Sequence, residues 1–240
     1  MIVAIQQPEH LPWVGFFNKM AQCDMFVNLD NVQFKKRYFE NRNRLKTAQG
    51  GLWLTVPVIS KGKYHQKINE VSILKEASWE RKYLGRLESS LQEAPYWNDV
   101  KNIVFPVFQE KIERLVDLNI ALIDGCLQYL GIETETILAS NLDTGKAKGS
   151  DLILRICREV DANTYISGPD GRTYLELTRF EMDGIDVIYH DFEHPEYPQC
   201  YGEFFSHLSV LDIIANCGPN SATIIKECYR VKLNNEIHLS

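Results

Sequence analysis

MIVAIQQPEHLPWVGFFNKMAQCDMFVNLD, residues 1–30, decides the fold class. Ile2 to Ile5 is a short apolar, β-branched run that a proline then breaks, and Trp13 to Ala21 places apolar residues at helical spacing. Met25 to Leu29 is a second short apolar run, closed by Asp30-Asn31, with the length and sharp ends of a buried strand. Strand, helix, strand within thirty residues predicts a βαβ opening and hence a parallel sheet.

The rest of the chain extends that pattern. The signature of a strand recurs at Thr136 to Ala139, Thr164 to Ile166 and Asp186 to Tyr189, with a helix at Asp151 to Val160 between the first two. Strands alternating with helices predict an α/β fold with a mainly parallel sheet flanked by helices. Two segments depart from the alternation. At about 31–60 the turn signal Gln49-Gly50-Gly51 and the alternating Leu52 to Ile59 predict a small antiparallel hairpin insertion. At about 78–131 the spacing predicts helices, with Ser78 as a cap, Pro95 and Pro106 as interruptions, and a long apolar helix through Ile112 to Ile123 that ends at Gly131. No repeat or linker divides residues 1–240, so the expectation is a single α/β domain carrying both segments.

Composition bounds the function. The 240 residues are 45% apolar and 24% charged, with 26 Lys and Arg against 32 Asp and Glu, a net charge of -6. That balance argues against coating duplex DNA or an anionic membrane. The opening lacks the basic and small-residue features of a secretory signal, and no apolar run is long enough to span a bilayer, so the cytoplasm is the expected compartment. Six cysteines without a C-x-x-C pair read as reduced thiols. Cys217 is expected to be a buried thiol.

In parallel α/β sheets ligands sit beyond the carboxyl ends of the strands, which directs attention to the loops there. Gln6 to Trp13 places Gln6, Gln7, His10 and Trp13 between a strand and a helix, with amides to orient a polar ligand and an imidazole for proton transfer. This loop only weakly matches the HIGH-type nucleotidyltransferase turn, having one histidine and its glycine displaced to Gly15. Asp30 to Thr47 packs six cations, two carboxylates and three aromatics together; Asp30, Gln33, Arg37, Asn41, Arg42, Asn43 and Arg44 are candidates to bind an anionic substrate. The same mixture also suits single-stranded RNA or a tRNA end.

ISGPDGRTYL, residues 166–175, offers Ser167, Gly168, Arg172 and Tyr174 around a tight turn able to face an anion, without a Walker or G-x-G-x-x-G pattern. YHDFEHPEYPQ, residues 189–199, concentrates His190, Asp191, Glu193, His194, Glu196, Tyr197 and Gln199. Pro195 and Pro198 favour an irregular loop, and the histidine spacing does not make a metal site, so no metal is expected.

Taken in order, QPEHLPWVGFFNKM (7–20), NLDNVQFKKRYFENRNRLKT (28–47), WLTVPV (53–58), ISGPDGRTYL (166–175), HPEYPQ (194–199) and HLSVLDIIANCG (207–218) resemble the WbqC-like protein family. The resemblance implies a bacterial or archaeal protein associated with surface polysaccharides such as O-antigen. It implies no agreed set of catalytic residues, and this chain has His10 where the family pattern suggests an aromatic such as tyrosine.

The leading expectation is an acyl or aminoacyl transferase that acts on a nucleotide-linked amino sugar, with His10 and His194 as catalytic bases. The donor would be an acyl-CoA or an aminoacyl group, with tRNA as one carrier. A nucleotidyl-transfer or ATP-dependent ligase-like enzyme and a non-catalytic sugar-nucleotide or protein-binding module are the rival expectations. Oligomeric state is left open.

Overall fold

The structure, a computed structural model, describes residues 1–228. Its centre is a five-stranded parallel sheet built from β1 (Ile2–Gln6), β2 (Met25–Asn28), β5 (Glu135–Leu138), β6 (Thr164–Ser167) and β7 (Asp186–Tyr189). Across the sheet the order is β5-β2-β1-β6-β7. Counted along the chain this is 3-2-1-4-5, the doubly wound arrangement, whose order reverses between β1 and β6.

Period-2 alternation explains why the strands are apolar on both sides. Ala4, Phe26 and Ile166 point to one face, where α1 (Val14–Met20) and the helical middle pack. Val3, Ile5, Val27 and Tyr165 point to the other, against α5 (Gly149–Glu159) and α6 (Leu177–Met182). A strand buried on both faces needs such a continuous apolar run. Each large side chain enclosed in this way contributes about 1.5–3 kcal/mol of burial free energy.

The predicted insertion is a two-stranded antiparallel hairpin, β3 (Arg42–Thr47) and β4 (Gly50–Thr55), separate from the main sheet. It is tied to the chain's last third by the Ser209 N–H, which donates to the Arg44 carbonyl at 3.0 Å, and to the opening loop by Asn43 Nδ2, which donates to the Leu11 carbonyl at 2.8 Å. The helical middle comprises α2 (Trp79–Leu91), α3 (Trp97–Gln109) and α4 (Leu115–Leu130).

Details differ from the sequence expectation for local reasons. Ser78 precedes α2, but its hydroxyl donates to the Ala77 carbonyl and does not cap the helix. Pro106 lies inside α3, which continues to Gln109; near a helix end a missing N–H removes one bond without stopping the helix. Ile112 precedes the long helix, which begins at Leu115. Gly131 closes α4 with φ of 57°, a left-handed conformation that glycine adopts without steric cost.

Ser209 caps α7 (Val210–Cys217), its hydroxyl accepting from the Leu211 N–H at 3.3 Å. The last described helix is α8 (Asn220–Glu227). The Cys217 thiol is buried, and burial holds its pKa above the ordinary thiol value.

Candidate functional site

The doubly wound order predicts a crevice beyond the carboxyl ends of β1 and β6, and a cavity of about 390 Å³ lies there. Gln6 and Gln7 bring the end of β1 to it, and Gly168 to Gly171 the turn after β6. Lys19 reaches it from α1, His190 from just after β7, and Lys35 and Tyr38 from the basic segment after β2. Trp13, Tyr165 and Tyr174 provide aromatic walls.

Glu9, Gln6 and Lys19 form a polar chain at this cavity. The Lys19 ammonium donates to Gln6 Oε1, while Gln6 Nε2 donates to Glu9 Oε1 at 3.0 Å. One carboxamide thus joins a cation to a carboxylate. Burial lifts the Glu9 carboxyl from its ordinary value to about 7, against the lowering effects of Gln6 and the Lys19 charge. Burial also lowers the Lys19 ammonium to about 8, with Glu9 opposing that shift. Both groups are consequently placed to exchange protons near neutral pH.

His190 lies beside them, with its Nε2 2.7 Å from Asn18 Oδ1. The Asn18 amide itself donates to the Ile225 carbonyl at 2.6 Å, which leaves Oδ1 to accept and assigns the proton to His190 Nε2. Burial, reinforced by the Lys19 charge, lowers His190 to about 4 and keeps the ring neutral.

The candidate residues from the sequence separate into several environments. Gln6, Gln7, Trp13, Gly168 and Tyr174 line the cavity. Ser167 lies immediately behind the turn and donates its hydroxyl hydrogen to the Gly168 carbonyl at 3.0 Å. Arg172 instead stacks 4.1 Å from the Tyr189 ring centre and pairs with Asp191 at 3.3 Å.

His10 points into the protein interior. It is fully buried, with Nδ1 2.9 Å from Asn119 Oδ1 and Nε2 2.6 Å from the Tyr83 hydroxyl. Asn119 Nδ2 donates to the Pro8 and Glu40 carbonyls, so its oxygen accepts from a protonated His10 Nδ1 and the ring's Nε2 accepts from Tyr83. Burial lowers His10 to about 4. Its geometry is that of a neutral clasp between the opening loop and the helical middle, away from the cavity.

His194 occupies an aromatic cluster behind Trp13. Its ring stacks with the indole at 6.1 Å, its Nε2 accepts from the His207 N–H at 3.1 Å, and its Nδ1 is 2.8 Å from the Pro195 carbonyl. This fixes Trp13 and leaves His194 one aromatic layer from the cavity. Tyr197 and Gln199 form another buried network by donating to Asp212 Oδ2 at 3.0 and 2.9 Å.

The remaining basic-segment candidates also diverge. Asp30 is buried and accepts from the Ser140 N–H and hydroxyl at 2.8 and 2.6 Å. Asn41 and Asn43 donate to the Val56 and Leu11 carbonyls, respectively, securing the hairpin. Arg42 and Arg44 lie 4.1 and 5.4 Å from the Trp53 ring, and Arg42 also donates to the Arg37 carbonyl. Gln33 donates to the Tyr64 carbonyl at 2.9 Å and lines a neighbouring cavity.

Gly15 shows how tightly Trp13 is held. A Cβ at Gly15 would lie 2.4 Å from the indole, which also stacks with His207 at 5.0 Å. Gly15→Ala gains up to about 1 kcal/mol in helix propensity, whereas overpacking costs about 1–3 kcal/mol. The expected result is a lower melting temperature, measured by circular dichroism, together with a displaced Trp13 fluorescence signal.

Sequence reading missed Glu9, Lys19 and His190 as a convergent group. For Lys19 a signal was present: it sits in VGFFNKM, a short helix buried along its whole length, where a charged group needs a specific partner. The pairing with Gln6 and Glu9 depends on tertiary geometry.

Comparison with known proteins adds family identity. The model of the WbqC-like protein family matches residues 7–224. An uncharacterized protein of Mycobacterium tuberculosis, Rv1507c, is 34% identical over 229 residues, covering 94% of this chain and 98% of that protein. No solved structure is significantly similar.

Proposed function

The chain belongs to the WbqC-like protein family, and from that premise we propose an acyl or aminoacyl transferase of surface-polysaccharide biosynthesis that acts in the cytoplasm on a nucleotide-linked amino sugar. The observation that carries this reading is the Glu9–Gln6–Lys19 chain at the sheet's reversal point. Glu9 and Asp170 both line the cavity, offering carboxylates to the substrate's ammonium. Tyr174, exposed at the cavity, supplies a face for a sugar ring, and Trp13 adds apolar lining.

In this mechanism Glu9 accepts a proton from the bound ammonium and frees the amine lone pair. The amine attacks the acyl carbonyl carbon, forming the C–N bond. Collapse breaks the donor's C–S bond in an acyl-CoA, or its C–O bond in an aminoacyl ester. Glu9 takes the second amine proton after releasing the first to water, and Lys19 supplies a proton to the departing sulfur or oxygen. The Gly168–Gly171 turn positions the substrate beside these groups, while His10 and His194 support the surrounding loops.

The test is a combined thermal-shift and mass-spectrometric screen of nucleotide-linked amino sugars. Acyl-CoA, aminoacyl-tRNA, and ATP plus amino acid serve as separate donor pools. Stabilisation by a nucleotide sugar and an added acyl mass support transfer. Binding without mass change across all donor pools supports a binding module instead, and pyrophosphate or AMP release without acylation supports nucleotidyl transfer. No response to nucleotide sugars contradicts the proposed substrate class.

A further inference from the structure

A second cavity, about 460 Å³, adjoins the basic segment and is lined by Gln33, Phe34, Lys35, Lys36, Ser60, Lys63 and Tyr64. Its two walls are tied together: Gln33 Nε2 donates to the Tyr64 carbonyl at 2.9 Å, and the Phe34 N–H donates to the Gln66 carbonyl at 3.0 Å. Lys35 lines both this cavity and the switch-point cavity. It therefore stands at their shared boundary.

The two cavities differ in charge. Glu9 and Asp170 line the switch-point cavity and balance Lys19 and Lys35 there, whereas the second lining contains three lysines and no carboxylate. Among the described residues, Lys35, Lys36 and Lys63 have no carboxylate partner within salt-bridge distance. Glu40 feels the Lys35 charge, but Glu40 is buried and burial raises its pKa. The lysine-lined space favours phosphate, and the carboxylate-bearing space favours an ammonium. Tyr64 is 79% exposed and adds an aromatic surface suited to a nucleobase.

We propose that the lysine-lined cavity is a nucleoside-diphosphate subsite, with Lys35 at the junction where the linked amino sugar enters the switch-point cavity. This assignment rests on the nucleotide-sugar reading above and adds which half of that ligand occupies each space. It also places the phosphates away from the Ser167–Gly171 turn, where Asp170 would repel them.

Isothermal titration calorimetry tests the assignment using UDP, dTDP, GDP and CDP, their linked amino sugars, and glucosamine as the unlinked control. For every nucleotide pair that binds wild type, Lys36→Glu/Lys63→Glu is expected to weaken both nucleotide forms at least tenfold. Tyr64→Ala should weaken them severalfold while retaining the wild-type melting temperature. The glucosamine response should remain unchanged.

If wild type binds a nucleotide-linked amino sugar but the folded double-lysine variant binds it within twofold, the subsite assignment is overturned and the substrate class stands. If wild type binds none of these nucleotide ligands, both fail. A selective loss of CCA-ended oligoribonucleotide binding, with nucleotide affinities unchanged, overturns the assignment in favour of an RNA surface.

Discussion

Glu9→Gln is expected to reduce turnover about 10²–10⁴-fold, the range associated with loss of a positioned general base. The substitution preserves side-chain length and can retain a contact with Gln6, so the loss should appear chiefly in kcat. In wild type, the acidic limb of the rate profile should reflect Glu9 at about 7, and the alkaline limb Lys19 at about 8. Their interaction through Gln6 makes these limbs properties of the pair. Glu9→Gln should remove the acidic limb from the residual activity.

A stability measurement provides a separate readout of the same carboxyl. Its folded pKa is raised, so its favourable contribution is full below the ordinary Glu value and is lost as pH rises towards about 7. Glu9→Gln removes that titration. Relative to wild type, the variant is expected to become more stable between about pH 4.5 and 7, by roughly 1–2 kcal/mol after allowing for the cavity opening. Urea unfolding at several pH values checks the sign.

His10→Ala is expected to destabilise the protein by about 3–5 kcal/mol. It removes an enclosed ring and leaves Asn119 and Tyr83 without their shared partner. The lesion should be structural: below the melting transition, the turnover of the folded fraction should remain within severalfold of wild type. Denaturant unfolding and active-site-normalised turnover distinguish this from loss of a catalytic base.

The His10 titration has the opposite stability sign from that of Glu9. Its folded pKa is lowered to about 4, so the contribution is present above the ordinary His value and is lost as pH falls through 6.5 towards 4. His10→Gln should reduce the steepness of acid destabilisation in that interval. His190, also held near 4, contributes in the same direction and remains in this variant.

The parallel architecture was legible because local patterns mark each strand: IVAIQ is bounded by Pro8, MFVN by Asp30, and DVIY by the irregular 190–199 loop. Strand order was not legible from those patterns. The reversal between β1 and β6 follows from α5 and α6 packing on the face opposite α1. That reversal selects one cavity from several loops.

For the candidate site, Gln6 and Gly168 were accessible through their positions at strand ends, and Trp13 through its place just before α1. His10 was conspicuous by residue type, but its ring turns towards Asn119, 109 positions away. Arg42 and Arg44 likewise suggested phosphate chemistry, whereas their guanidinium groups pack over Trp53. The lysines at 35, 36 and 63 form one group only when residues 33–36 and 60–64 are brought together. Sequence identifies these functional groups; tertiary packing determines which of them meet.

Backbone amide chemical-shift mapping with a nucleotide-linked amino sugar, using the ligand selected by the screen, tests directly whether the switch-point cavity binds the substrate. The largest saturable changes are expected at Gln6, Lys19 and the Gly168–Gly171 turn, with accompanying changes at Lys35. Saturable changes confined to the Arg42–Trp53 hairpin face, with Gln6, Lys19 and Gly168 unmoved, would contradict the assignment of the switch-point cavity.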